Sequence, residues 1–217
     1  MIRTISHSGL NVFYRVVLLG IYAFFCYLML EITLQYIPYD TDVAFLKIKQ
    51  DYIGMGHYRL AFFVHAYTAV LVLIAGFTQF SLFIRRKYPQ IHRMSGWLYA
   101  GVVLVLAAPS GLIIGIYANG GFFSQMAFCL LAVLWFYFTL KAVLTARKGN
   151  FRQHRYFMYR SFALTLSAIT LRAWKYVIVA VFHPRPMDAY QIVAWLGWVL
   201  NLLIAELYIQ HLKRKNL

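Results

Sequence analysis

Residues 58–96 read YRLAFFVHAYTAVLVLIAGFTQFSLFIRRKYPQIHRMSG. The apolar run at the start is long enough to cross a hydrocarbon core of about 30 Å as a helix. It stops at Arg85, Arg86 and Lys87, and a short turn later the pair His92-Arg93 opens a second apolar run. Lipid offers no partners for backbone N–H and C=O groups, so a single segment of this kind crosses it only as a helix. Working outward from 58–84, five more windows have the same character: 13–37, 94–117, 123–146, 156–182 and 189–211. The reading is an all-α bundle of six transmembrane helices.

Composition agrees. Of 217 residues, 62% are hydrophobic and only 12% charged, which excludes an ordinary soluble domain. The first window is too long for a signal peptide's apolar core and no small-x-small site follows it, so a retained helix is expected. The connections are short except for 38–57, whose Val43, Phe45, Leu46 and Ile48 suit an interfacial loop. The whole of 1–217 reads as one transmembrane domain with its core at 58–182.

Lys and Arg are retained on the cytoplasmic side of membranes. With the N-terminus inside, the inner segments collect Arg3, Arg15, Arg85, Arg86, Lys87, Arg93, Lys141, Arg147, Lys148, Arg152, Arg155, Lys213, Arg214 and Lys215. The outer segments hold Lys47, Lys49, Arg59 and Arg185, offset by Asp40, Asp42, Asp51 and Asp188. Both termini are therefore expected in the cytoplasm. The same bias accounts for most of the +15 net charge, so anionic lipid headgroups are the expected partner and nucleic acid is not required. Cys26 and Cys129 lie alone inside apolar windows, without the CxxCH pattern of covalent haem attachment.

An ionisable group inside a span costs at least about 2.5 kcal/mol and normally faces a partner or a cavity. Such groups fall at two depths. Glu31, His65 and Lys175 lie about 10 Å below the outer surface at the helical rise, with Arg172 a turn deeper. Gln79, His92, His154, Arg160 and Glu206 lie near the inner surface. On helical phase, His154, Ser161, Thr165 and Arg172 share a face of the fifth span. His65, Ala69, Gly76 and Gln79 share one on the second, and small residues there leave space for a flat ligand or a close helix contact. On the third, His92, Gly96, Tyr99 and Ser110 align, and Pro109 is expected to kink its outer half. Gly111 and Gly115 read as a packing contact.

The chain repeats its basic turn: ARKGNFRQHRYFMYRS at 146–161 again closes a hairpin with a basic cluster and ends it in His-Arg. Two histidines at the entries of parallel spans suit the axial positions of one haem b, with Arg93 and Arg155 beside its propionates and Gln79 and Arg160 nearby. A His-Arg pair at a helix entry is equally a membrane anchor, and spacing alone leaves both readings open.

The run HAYTAVLVLIAGFTQF at 65–80, HRMSGWLY at 92–99, HRYFMYRSFAL at 154–164 and then Arg172 resembles a bacterial family of predicted multi-pass membrane proteins of unassigned function, over about residues 58–180. Phe77 stands where that pattern carries Pro. The resemblance implies a multi-pass helical protein of the bacterial inner membrane and no particular chemistry. In architecture the chain is similar to the six-helix b-type cytochromes that carry electrons from ascorbate. That likeness implies haem ligation by His92 and His154, with His65 near the place of an outer ligand. Span four opens GFFSQMAF without a histidine, so one haem is implied, and Met126 is the one soft side chain close by.

Glu31, His65, Arg172 and Lys175 together suit an outer cavity for a quinone, with Glu31 paired to Lys175, and suit an exported anion equally. Two functions of different class follow. One is a membrane electron carrier, or haem-dependent oxidoreductase, that exchanges electrons with a quinone or another redox partner. The other is a non-redox transporter, binder of an anionic or lipid-like molecule, or assembly factor, whose His and Arg clusters are ion-pair networks such as Arg160 with Glu206.

Overall fold

The computed structural model describes residues 7–215; Arg3 lies outside them, as do the side chains of His7 and Arg15. The described residues form helices α1 (His7–Leu34), α2 (Gln50–Ile53), α3 (Gly56–Gln79), α4 (Leu82–Lys87), α5 (Pro89–Gly101), α6 (Ala108–Ile116), α7 (Gly121–Arg147), α8 (Phe151–Thr165), α9 (Ser167–Phe182) and α10 (Pro186–Arg214). A 3₁₀ turn (Ala44–Ile48) precedes α2, and a π-helical segment (Val102–Ala107) joins α5 to α6. Five stretches are long and apolar enough to cross a membrane: Val16–Leu34, Gly56–Gln79, Pro89–Ile116, Gly121–Arg147 and Pro186–Arg214. Helices α8 and α9, bent by 41° at their break, make a sixth when the pair is taken as one span.

Three local departures from the expected spans shape the site. The second span ends at Gln79 instead of continuing to residue 84, because Ser81 caps a new helix by accepting from Ile84 N at 3.3 Å. The resulting α4, LFIRRK, lies between spans with Leu82 and Phe83 exposed. The third span opens earlier than expected, at Pro89 in its first turn, which places His92 inside the helix. Its π segment ends just before Pro109; π-bulges and prolines are both places where helices bend, and Pro89–Ile116 nevertheless runs as one span.

The fifth span is broken at Leu166, so His154 and Arg172 do not share one straight face. Hydroxyls that bond back to the preceding turn bend helices, and here Thr165 Oγ1 lies 3.2 Å from Ser161 O while Thr170 donates to Leu166 O (3.1 Å). From α10, Asn201 Nδ2 donates to Ala163 O (3.1 Å) and Thr170 Oγ1 (2.9 Å), taking up polar groups on both sides of the break. Close packing fixes α9 on α10: a Cβ on Gly197 would stand 3.0 Å from Leu171 Cα. Gly76 likewise admits no ligand, since a Cβ there would stand 2.4 Å from the Phe162 ring. This small position on the second span serves helix contact.

The two ends of the bundle differ. At one end, residues 36–58 fold over the helix ends as a cap, with Tyr36, Leu46, Ile53, Tyr58, Phe62 and Phe63 forming one apolar cluster. Leu46 is fully buried there, which corrects its placement in an interfacial loop, whereas Phe45 and Ile48 keep exposed faces. Lys49, only 2% exposed, donates Nζ to the Tyr117 carbonyl and the Asn119 side-chain oxygen, under the rings of Phe45 and Tyr52. No carboxylate pairs with it among the described residues.

Burial pushes the Lys49 amine down from its ordinary 10.5 to about 8. The folded state then binds this proton less tightly than the unfolded state does. The cost is fully present below pH 8 and is relieved as pH rises from about 8 to 10.5. Melting of the detergent-solubilised protein is expected to rise by a few degrees over that window. Lys49→Met should remove the rise, and an unchanged pH profile in that variant would refute the assignment.

Candidate functional site: a two-histidine cavity at the basic end

The opposite end carries the basic turns and a cavity of about 930 Å3. That lies within the range of about 300–1,000 Å3 typical of small-molecule and cofactor sites. His92 from α5 and His154 from α8 both line it. Five arginines line it as well, Arg85, Arg93, Arg147, Arg152 and Arg155, and no carboxylate does. Its walls include the flat faces of Trp97, Tyr159 and Tyr208.

Each imidazole is held from behind. His154 Nδ1 meets Ala142 O at 2.8 Å, which tethers the start of α8 to α7. The turn that delivers it is built by Gly149 at φ +73° and by Asn150, whose side chain accepts from Gln153 N at 3.1 Å. His92 is positioned through its backbone: Gln79 Nε2, at the end of α3, donates to His92 O (3.0 Å) and to Ser95 Oγ (2.7 Å). His92 Nδ1 is sealed from solvent and completes no hydrogen bond, and Arg155 Nε is in the same condition. Neither Nε2 atom is sealed, so each ring offers that nitrogen to accessible space. Gly96 leaves room beside Gln79, where a Cβ would stand 3.1 Å from Oε1.

The expected inner residues are therefore not all together. His92, His154, Arg93, Arg155 and Gln79 line the cavity. Arg160 does not: its Nε and Nη2 both donate to Glu206, the latter at 2.9 Å, and its guanidinium lies over Phe157. It braces α8 against α10. Sequence reasoning missed Trp97 and placed Arg85, Arg147 and Arg152 only in the general basic turns. Of these, Arg147 stacks on Trp97, 5.3 Å from its centroid.

Beyond the cavity lies a buried hydroxyl cluster. Gly96 and Ala100 line the cavity, and Tyr99 between them turns into the core, where its hydroxyl meets Ser161 Oγ and Thr165 Oγ1, both at 2.8 Å. Thr139 Oγ1 bonds Ser161 Oγ at 2.7 Å, and Trp135 Nε1 donates to Thr165 Oγ1 at 3.0 Å.

Toward the capped end, the expected outer layer separates. His65 Nδ1 bonds Ala107 O, the last carbonyl of the π segment, at 2.8 Å. Gly111 makes way for the ring, since a Cβ there would stand 3.1 Å from Cε1. Gly115, in contrast, serves packing alone, against Phe128 and Cys129. Arg172 Nη1 donates to Ala168 O at 2.6 Å, and the cation lies within electrostatic range of His65 and Tyr36. Glu31 and Lys175 are exposed and form no ion pair with one another. The pairing expected between them is therefore corrected.

A bundle of apolar helices with one basic, cavity-bearing end and one capped end defines an integral multi-pass membrane protein. Residues 62–209 match the family described as predicted membrane protein (DUF2306), and the chain belongs to that family. No curated protein and no solved structure matches it, so no match carries the likeness to b-type cytochromes.

Proposed function

We propose that the cavity at the basic end holds one haem b between His92 and His154, and that the protein carries electrons within the membrane, as an electron-transfer protein or a haem-dependent oxidoreductase. The observation that carries this reading is that two histidines from different helices line one cavity, each with an Nε2 that is not sealed. The Nδ1 of His154 is meanwhile tied to a backbone carbonyl, the outer-shell partner that metal-bound imidazoles usually have. Among the described residues no three His, Cys, Asp or Glu side chains come together, so a metal here must bring most of its own ligands, as a porphyrin does.

A bound haem supplies a one-electron carrier. The protein's own residues hold it: the imidazoles fix its plane, the aromatic walls exclude water, and arginines such as Arg93 and Arg155 offset the propionates. The basic end faces the cytoplasm of a bacterial inner membrane on this reading, with both termini there and anionic lipid headgroups around it. An export-dependent reporter fused after Leu217 should stay inactive.

Purified protein from a haem-replete host is expected to show a Soret band and sharp reduced α and β bands. The arginine-rich, carboxylate-free lining favours one second reading, a binder or transporter of an anionic lipid-like molecule. Protein without a Soret band that retains such a lipid would establish that reading instead.

A further inference from the structure

We infer that His65 and Arg172 form a second binding site, toward the capped end, for the hydroxyl head of a membrane-soluble quinol. The site lies between two apolar clusters. On one side, Cys26, Met29, Val70, Leu73 and Ile169 join α1, α3 and α9; on the other, Tyr36, Phe62 and Phe63 belong to the cap. His65 stands five positions from Val70 on α3, and Arg172 three from Ile169 on α9, each displaced toward the cap. Membrane spans rarely keep an arginine without a carboxylate, because its desolvation goes uncompensated. Arg172 is kept that way: its one hydrogen bond among the described residues is to Ala168 O, and no acid pairs with it.

The donor and acceptor pattern selects the ligand. The bond from His65 to Ala107 O requires the proton on Nδ1, so Nε2 presents a lone pair. Arg172 presents only donors. Both groups lie deep among packed atoms, yet neither His65 Nε2 nor a nitrogen of Arg172 is among the sealed, unpartnered side-chain atoms of the described residues, which are His92 Nδ1, Ser124 Oγ, Arg155 Nε and Trp198 Nε1. A fatty-acid carboxylate would satisfy Arg172 and leave the His65 lone pair facing another acceptor. A quinol hydroxyl satisfies both, donating its proton to Nε2 while its oxygen accepts from the guanidinium. A ring head with an apolar tail also matches the clusters above and below.

Tryptophan fluorescence of the detergent-solubilised protein, titrated with decylubiquinol, decylubiquinone, the dimethyl ether of the quinol and oleate, tests the site without reference to haem. Saturable binding of the quinol is expected, with quinone and ether weaker by about tenfold or more, since each lacks the donated hydrogen bond. Arg172→Met should weaken quinol binding by a similar factor while leaving thermal stability equal or higher, because it removes an unpaired cation. That combination separates a ligand site from a structural contact. Equal binding of quinol and ether, binding of oleate alone, no binding at all, or unchanged affinity in Arg172→Met would each overturn the proposal. A wild-type protein that lacks a Soret band but binds the quinol would sink the haem reading and leave this one standing.

Discussion

His154→Ala protein is expected to reach the membrane in normal amounts and to purify without the b-type spectrum of the wild type, and His92→Ala likewise. The reason is that the cavity offers no third imidazole. Met158 is the one thioether in its lining, and a His-Met pair would give a spectrum distinct from that of the bis-histidine wild type. Folding should tolerate both changes. His154 contributes one bond, to Ala142 O, worth about 1 kcal/mol, and that carbonyl lies within α7. His92 Nδ1 completes no well-formed hydrogen bond, with the Thr78 backbone as its polar neighbour, so its removal should strand little. Gln79→Ala should act more mildly. It leaves both ligands and frees α5 from α3, and loss of such a supporting group typically weakens metal affinity by about 10–100-fold. The measurement is haem per protein after purification, alongside yield. Wild-type spectra from both histidine variants would refute axial ligation, and loss of yield in step with loss of haem would point to a structural role.

Length and hydropathy made the spans legible, because crossing lipid imposes a strong, local demand on every residue of a segment. The His-Arg repeat was legible for a related reason. The same short turn had to be built twice, and it puts both histidines at one end of the bundle. Other features depended on contacts no local pattern records. The break at Leu166 is held by Asn201, a residue of another helix, whose polarity in a span hints at a partner without saying which. Depth alone said nothing of azimuth, so the expected pairing of Glu31 with Lys175 failed. Arg160 shared the depth of the cavity and was drawn out of it by Glu206. The cap inverted one expectation because the 3₁₀ turn has three residues per turn and so three faces, of which one buries Leu46 and another leaves Ile48 out.

The hydroxyl cluster at the floor of the cavity predicts an order of stability among its variants. Each hydroxyl has one proton, and assigning them leaves a single consistent direction. Trp135 Nε1 donates to Thr165, Thr165 to Tyr99, Tyr99 to Ser161, Ser161 to Thr139, and Thr139 to the carbonyl of Trp135 at 2.7 Å. The chain of bonds closes on the residue where it began, and every member is buried. Thr165→Val removes the acceptor of the indole, a donor with no alternative, and should cost about 1–3 kcal/mol, the penalty of an unpaired buried group. Tyr99→Phe should cost less. Thr165 can turn its proton to Ser161 O, 3.2 Å away, and Ser161 keeps its bond to Thr139. The double variant Thr165→Val with Trp135→Phe should recover part of the loss, because the orphaned N–H is gone. Thermal or denaturant unfolding in a fixed detergent, with cavity occupancy checked by spectrum, reads the series. If Tyr99→Phe proves the most damaging of the three, the assigned direction of the bonds is wrong.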